Sequence, residues 1–252
     1  MSTGIARASF TRMRDGTAEE YALINAREAA YNRTLPVRVL EAVRALGTAE
    51  PDPGYAVSRL AHSLQSATRA ERDGRPVDYV VAALIHDIGD GLAPYSHGTY
   101  AAAVLRPFVS EELCWIVSHH PLFQMHYYGA QTGDDVNARE AYRGHRWFDA
   151  TVEFCERYDE NCFDPDYDWL PLEHFAPAVE EIFSREPAYR LPKIWNTPAS
   201  AIPTSVTATC SWPCSANSRA AVSAMCRRVR SFLSSRNPVL AMPASLATAH
   251  AD

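Results

Sequence analysis

Residues 77–90 read VDYVVAALIHDIGD, and the fold turns on whether this apolar run is a buried strand or a buried helix. Its length and its alanines favour the helix, with Gly89 as the C-terminal stop. A helix apolar on every side belongs at the centre of a core. The run ends in His86-Asp87, and the chain then supplies His97, His119, His120 and His126. Five of the nine histidines therefore fall between residues 86 and 126. Neutral imidazoles and carboxylates gathered in this way suit iron, zinc, nickel or manganese, and no thiolate is placed to favour a softer metal. Neighbours on one helix point about 100° apart, so His86 and Asp87 share a cavity only at a helix end. There Asp87 has two oxygens with which to bridge two ions.

Outward from this run, the remaining pattern is helical. TAEEYALINAREAAYN (17–32) has Thr17 as N-cap and Glu20 three residues on, the arrangement of a capping box. LPVRVLEAVRALG (35–47) starts at Pro36 and stops at Gly47. YAVSRLAHSLQSATRAERDG (55–74) carries a stripe of Ala56, Val57, Leu60, Ala61, Leu64 and Ala67, with His62, Gln65 and Arg69 together on an adjoining face. Ser96 caps a helix bearing His97. Ser110, followed by Glu111 and Glu112, opens a helix that Pro121 is expected to end just after His119 and His120. A polar connection over 129–146 holds one short helix around Asn137. RWFDATVEFCERYDENCF carries Asp149 and Asp159 on an amphipathic helix, and LEHFAPAVEEIFSRE is the last. No stretch alternates with period two, so the expected class is all-α.

The chain of 252 residues is long enough for one well-buried domain. Its net charge of −6 argues against a nucleic-acid or anionic-membrane partner. No apolar run reaches the roughly 18 residues needed to span a bilayer. The N-terminus lacks a signal-peptide core, and the six cysteines are scattered, so a reduced cytoplasmic protein is expected. Composition breaks near residue 190. From 191 to 251 there is no Asp or Glu, while Lys193, Arg219, Arg227, Arg228, Arg230 and Arg236 are all basic. The division is thus a metal-binding domain over 1–190 and a basic low-complexity tail over 191–252. That tail is read as disordered or as a frameshifted, non-native end.

His62, then His86-Asp87-Ile88-Gly89, then Asp159 in ERYDEN resemble the ligand order of the HD metal-dependent hydrolase superfamily, whose fold is a helical bundle. His97 and His119 resemble the two further histidines of its dinuclear branch. That branch includes the mixed-valence diiron oxygenases acting on myo-inositol and on hydroxylated aminophosphonates, and the chain is most similar to the phosphonate type. The resemblance covers roughly residues 10–185. It implies that His62, His86, Asp87 and Asp159 hold one metal, while Asp87, His97 and His119 hold the second. His119 is preferred to His120 because its helix-ending position and its offset to His126 resemble the pattern of the inositol-type oxygenases. His120, Asp90 and Tyr55 are the further catalytic candidates, Tyr55 as a lid group. His145 and His174 read as structural or surface groups.

The substrate side departs from the resemblance. Where phosphonate-type oxygenases place basic residues one turn after the second-metal histidine, this chain has Phe123 and Gln124. Asp90 stands where relatives carry His or Lys, and would suit a hydroxylated or cationic substrate or a proton-transfer role. The expected activity is a non-haem diiron oxygenase using an Fe(II)/Fe(III) pair and dioxygen to cleave a C–P or C–C bond in a small hydroxylated substrate. The alternative is a phosphohydrolase with manganese, nickel or zinc, acting on a small phosphate ester or nucleotide.

Overall fold

A computed structural model describes residues 7–48 and 54–188. The chain separates into two units, Met1–Asn196 and Thr197–Asp252. The second unit, and with it the expected basic tail, lies outside the described residues. Eight α-helices and no strand form the described part, as expected of an all-α domain. They are α1 (Ala18–Asn32), α2 (Leu35–Ala45), α3 (Arg59–Arg72), α4 (Val77–Ile85), α5 (His97–Leu105), α6 (Glu111–Thr132), α7 (Phe148–Tyr158) and α8 (Leu172–Phe183).

The apolar run is the axis of this bundle. Every residue of α4 from Val80 to Ile85 is buried, with 5% exposure at most. Helices α3, α6 and α8 pack around it, α5 and α7 pack on α6, and α2 packs on α8. Each buried Val, Leu or Ile contributes about 1.5–3 kcal/mol of transfer free energy. A helix this short and this apolar therefore holds only as the filling of a core, and its end is fixed by what surrounds it. That end comes at Ile85, earlier than Gly89, because the His86 ring turns back and its Nδ1 donates to the Ala83 carbonyl at 2.7 Å.

The capping box on α1 is present: Thr17 Oγ1 accepts from Glu20 N, and Glu20 Oε2 accepts from Thr17 N at 2.9 Å. The other Glu20 oxygen accepts from Ser9 N and Ser9 Oγ, and together these bonds hold the carboxyl down to about 2. Helix α3 begins later than its apolar stripe suggested, because the Ser58 side chain accepts from Ala61 N and leaves Ala56 and Val57 outside.

The larger difference is at Pro121. Helix α6 does not end there but runs on to Thr132. A proline inside a helix leaves the carbonyl four residues back without its donor. Here that carbonyl is Val117 O, and His120 Nδ1 donates to it at 2.7 Å. The histidine before the proline thus supplies the missing hydrogen bond, and the helix continues.

Two glycines bring the histidine-bearing elements together. A Cβ on Gly89 would lie 2.8 Å from the backbone of His97. One on Gly98 would lie 2.7 Å from Val117 O and 2.9 Å from the Pro121 ring, so α5 meets α6 at the repaired carbonyl. Gly98→Ala should force these helices apart, at about 1–3 kcal/mol of overpacking cost. Thermal unfolding should show a lowered Tm, and metal analysis a loss at the His97 side of the centre. An unchanged Tm and metal content would show that the close approach is not required.

Candidate metal centre

Six side chains from five segments of the bundle converge. His62 comes from the first half of α3, His86 and Asp87 from the turn after α4, His97 from the first turn of α5, His120 from the middle of α6, and Asp159 from the residue that ends α7. Asp159 leaves helical geometry, with φ −134° and ψ −69°, so it lies just past the helix rather than on it. Three of the imidazoles are oriented by backbone carbonyls: His62 Nδ1 by Cys162 O at 3.1 Å, His86 Nδ1 by Ala83 O and His120 Nδ1 by Val117 O. A carbonyl oxygen only accepts, so Nδ1 carries the proton in each and Nε2 faces the cluster with a free lone pair.

The donor atoms fall into two groups that share Asp87. In the first, His62 Nε2 is 3.0 Å from His86 Nε2 and 3.4 Å from both Asp87 Oδ2 and Asp159 Oδ1. His86 Nε2 is 3.5 and 3.7 Å from the same two oxygens. In the second, the other oxygen of Asp87, Oδ1, is 3.1 Å from His120 Nε2 and 3.4 Å from His97 Nε2. Metal–ligand bonds of about 2.1 Å place neighbouring donors roughly 3.0–3.4 Å apart; the separations from His62, His97 and His120 fall in that range, and those from His86 to the two carboxylates lie just beyond it. His62, His86 and Asp159 are almost fully buried, whereas Asp87 and His97 keep 15% and 21% of their side-chain surface.

These residues fit a cation, and the observation that says so is the arrangement of their lone pairs. Two neutral imidazoles aim bare nitrogens at each other across 3.0 Å beside two carboxylates, and Asp159 Oδ2 is buried with no partner. Such a set is repulsive and under-bonded unless a positive charge sits in it. In the metal-free protein that charge is a proton. Burial opposes it, yet Asp159 and Asp87 raise His62 to about 10 and raise His86 as well. Against the same burial, His86, His120 and His62 hold Asp87 well below the usual carboxylate range, and His62 and His86 lead in doing so for Asp159.

Of the sequence candidates, His62, His86, Asp87, His97 and Asp159 come together. His119 does not. Its Nδ1 bonds Trp115 O at 2.8 Å, and its ring stacks on Trp115, with ring centres 4.0 Å apart. His145 stacks on the same indole at 4.1 Å, so both are structural members of an aromatic stack. The preference for His119 depended on a helix ending at Pro121; because α6 continues, its neighbour His120 faces Asp87 instead.

The Oδ1 of Asp90 lies 3.3 Å from His97 Nδ1 and its Oδ2 pairs with Arg59 Nε at 2.7 Å. Asp90 thus lies against the His97 imidazole, whose Nδ1 hydrogen-bonds the Pro94 carbonyl at 3.4 Å, and pairs with Arg59. Burial and the nearby Asp87 raise its pKa. Tyr55 is 57% exposed and does not touch the cluster; it contacts Phe163, which in turn stacks on His62 at 4.4 Å. Arg59 and Phe163 carried no motif in the sequence. His62, Gln65 and Arg69, read as one face of α3, all bond the segment after Asp159: Cys162 O, Asp164 and Asn161 O.

Residues 56–148 match the family model described as HD domain. No curated protein matches the chain.

Two outcomes test the centre. His120→Ala should lower bound metal by one ion per chain, whereas His119→Ala should leave metal content intact and cost only about 1 kcal/mol of stacking; elemental analysis of the two purified variants reads the difference, and the reverse pattern would reinstate His119. The second concerns pH. Groups raised above their free value of 6.5 stabilise the metal-free fold below that pH and lose this contribution as pH rises toward about 10. Metal must expel the same protons, so apparent affinity should rise with pH. Calorimetry at pH 7 in buffers of different ionisation enthalpy should detect proton release on loading, and proton-independent binding would contradict it.

Proposed function

We propose that this chain, whose residues 56–148 match an HD domain, is a dinuclear metal-dependent oxygenase acting on a small hydroxylated substrate. The observation that carries this reading is the unequal pair of donor sets. His62, His86, Asp159 and one Asp87 oxygen make a closed, buried set. Around the other Asp87 oxygen stand His120 Nε2 at 3.1 Å and His97 Nε2 at 3.4 Å, two imidazoles beside one carboxylate, with Asp87 and His97 partly exposed and Asp90 a further donor next to His97. Two histidines and a carboxylate with open positions are the donor set of non-haem iron oxygenases.

When bound, iron at these residues supplies redox chemistry with dioxygen and Lewis acidity toward a substrate hydroxyl. The chain supplies the rest. Asp87 ties the two donor sets together, so a change at one is transmitted to the other. The Pro94 carbonyl holds the ring of His97 through its Nδ1, and Asp90, paired with Arg59, lies against the same ring. Phe163 covers one face of His62, stacking on its ring at 4.4 Å. Arg59 is already paired with Asp90, and this fits a hydroxylated substrate with little need of a free cation.

The family match favours a second reading, a phosphohydrolase, because an Asp-bridged metal pair also generates hydroxide for attack on a phosphate ester. Protein purified without oxygen separates the two. The oxygenase should contain iron, give a mixed-valence EPR signal and consume dioxygen with hydroxylated phosphonates or polyols. Manganese, nickel or zinc, with phosphate released from simple esters and no oxygen uptake, would overturn it in favour of the hydrolase.

A further inference from the structure

Beyond the metal centre, Arg69, Arg72, Asp73, Arg157, Asn161 and Tyr167 line a cavity of about 260 Å³. Three guanidiniums face one carboxylate among these residues. Asp73 is taken by Arg157 at 2.7 Å, and Arg157 also reaches Glu153. Arg72 is 3.2 Å from Asp168, but that carboxylate is 96% exposed and the pair is weak in water. Arg69 has no carboxylate partner among the described residues. Its Nη2 donates to Asn161 O at 3.1 Å, and its Nε is buried without an acceptor. The Arg69 guanidinium lies 4.1 Å from the centre of the Tyr167 ring, and that of Arg72 lies 5.3 Å from it. One ring thus gathers two like charges, whose repulsion an anion between them would relieve.

We propose that this cavity binds a compact phosphate-bearing anion, and that its occupancy is felt at the metal centre. The size and the donors set the ligand class. The volume lies just below the usual range for drug-sized ligands, which leaves room for a phosphate with a small attached group. Guanidinium forks match a dianion with several equivalent oxygens, and a single carboxylate would leave at least one fork unused. The coupling runs through a short segment. Arg69 bonds the carbonyl of Asn161, two residues after Asp159, and the next carbonyl, that of Cys162, orients His62. An anion that draws on Arg69 therefore acts on the backbone that positions both a carboxylate and an imidazole of the buried donor set. The inference does not depend on whether the enzyme is an oxygenase or a hydrolase.

Titration calorimetry with inorganic phosphate tests it on the full chain, both metal-loaded and stripped by a chelator. Phosphate should bind the stripped protein in the millimolar range or tighter. Arg69→Gln should weaken binding about tenfold, as loss of one charge-assisted contact does. The double variant R72Q/R157Q should do at least the same; its side chains are about half exposed, so folding should survive. For the coupling, saturating phosphate should shift the affinity of the wild type for Mn(II) several-fold, with no shift in R72Q/R157Q. Binding seen only in loaded protein and indifferent to the arginines would place phosphate on the metals and overturn the site, as would no binding at all. An unchanged Mn(II) affinity would overturn the coupling.

Discussion

Mutual repulsion of lone pairs in a dry pocket is the constraint around which this domain is built. His62, His86 and Asp159 are almost completely buried, with their donor atoms within 3.0–3.7 Å of one another. Without a cation this would be among the least favourable places in the fold. The helices hold it together by burying apolar surface elsewhere, above all along α4, whose final turn delivers His86 and Asp87. The backbone also takes part: a carbonyl on each of three separate segments fixes an imidazole through its Nδ1. Each ring therefore presents one nitrogen and no choice of tautomer. The site is preorganised for a positive charge, which in the metal-free state is protons and in the loaded state metal.

Much of this was legible in the sequence, because the signals are local. An apolar run closed by His86-Asp87 announces a central helix with ligands at its end, and the ligand order around it carries the family. Gln65 and Arg69 could be placed on the face of His62 from helical spacing alone. What could not be read was direction. Whether His119 or His120 turns inward depends on how α6 passes Pro121, and that depends on a hydrogen bond from the very side chain in question. The usual rule that proline ends a helix assumes its orphan carbonyl stays unpaired; His120 removes the premise. The surroundings of Asp90 could not be read for a related reason. Its position suggested substrate, but its partners, Arg59 on α3 and His97 on α5, are distant in sequence and claim both of its oxygens.

The His120–Val117 bond joins two requirements that are separate in most helices. The same ring repairs the backbone with one nitrogen and offers a ligand with the other. Gly98 packs against that same carbonyl, so α5, which carries His97, is set by the repaired turn. The spacing of His97 and His120 around Asp87 thus follows from one backbone defect and its correction. A substitution at any of Gly98, Val117 or Pro121 would be felt at the metal centre although none of them supplies a ligand.

The two donor sets differ in the same way throughout: the first is deep and fully enclosed, the second keeps exposed surface and fewer donors. A ligand that exchanges must do so where surface remains, beside His97 and Asp87. There Arg59 and Asp90 form a pair that is close to neutral, with 29% and 17% of their side-chain surface exposed. The guanidinium of Arg69, by contrast, has no carboxylate partner among the described residues and donates to the Asn161 carbonyl. One helix, α3, thus carries both His62 at the buried donor set and, two turns on, an arginine that bonds the backbone segment positioning it.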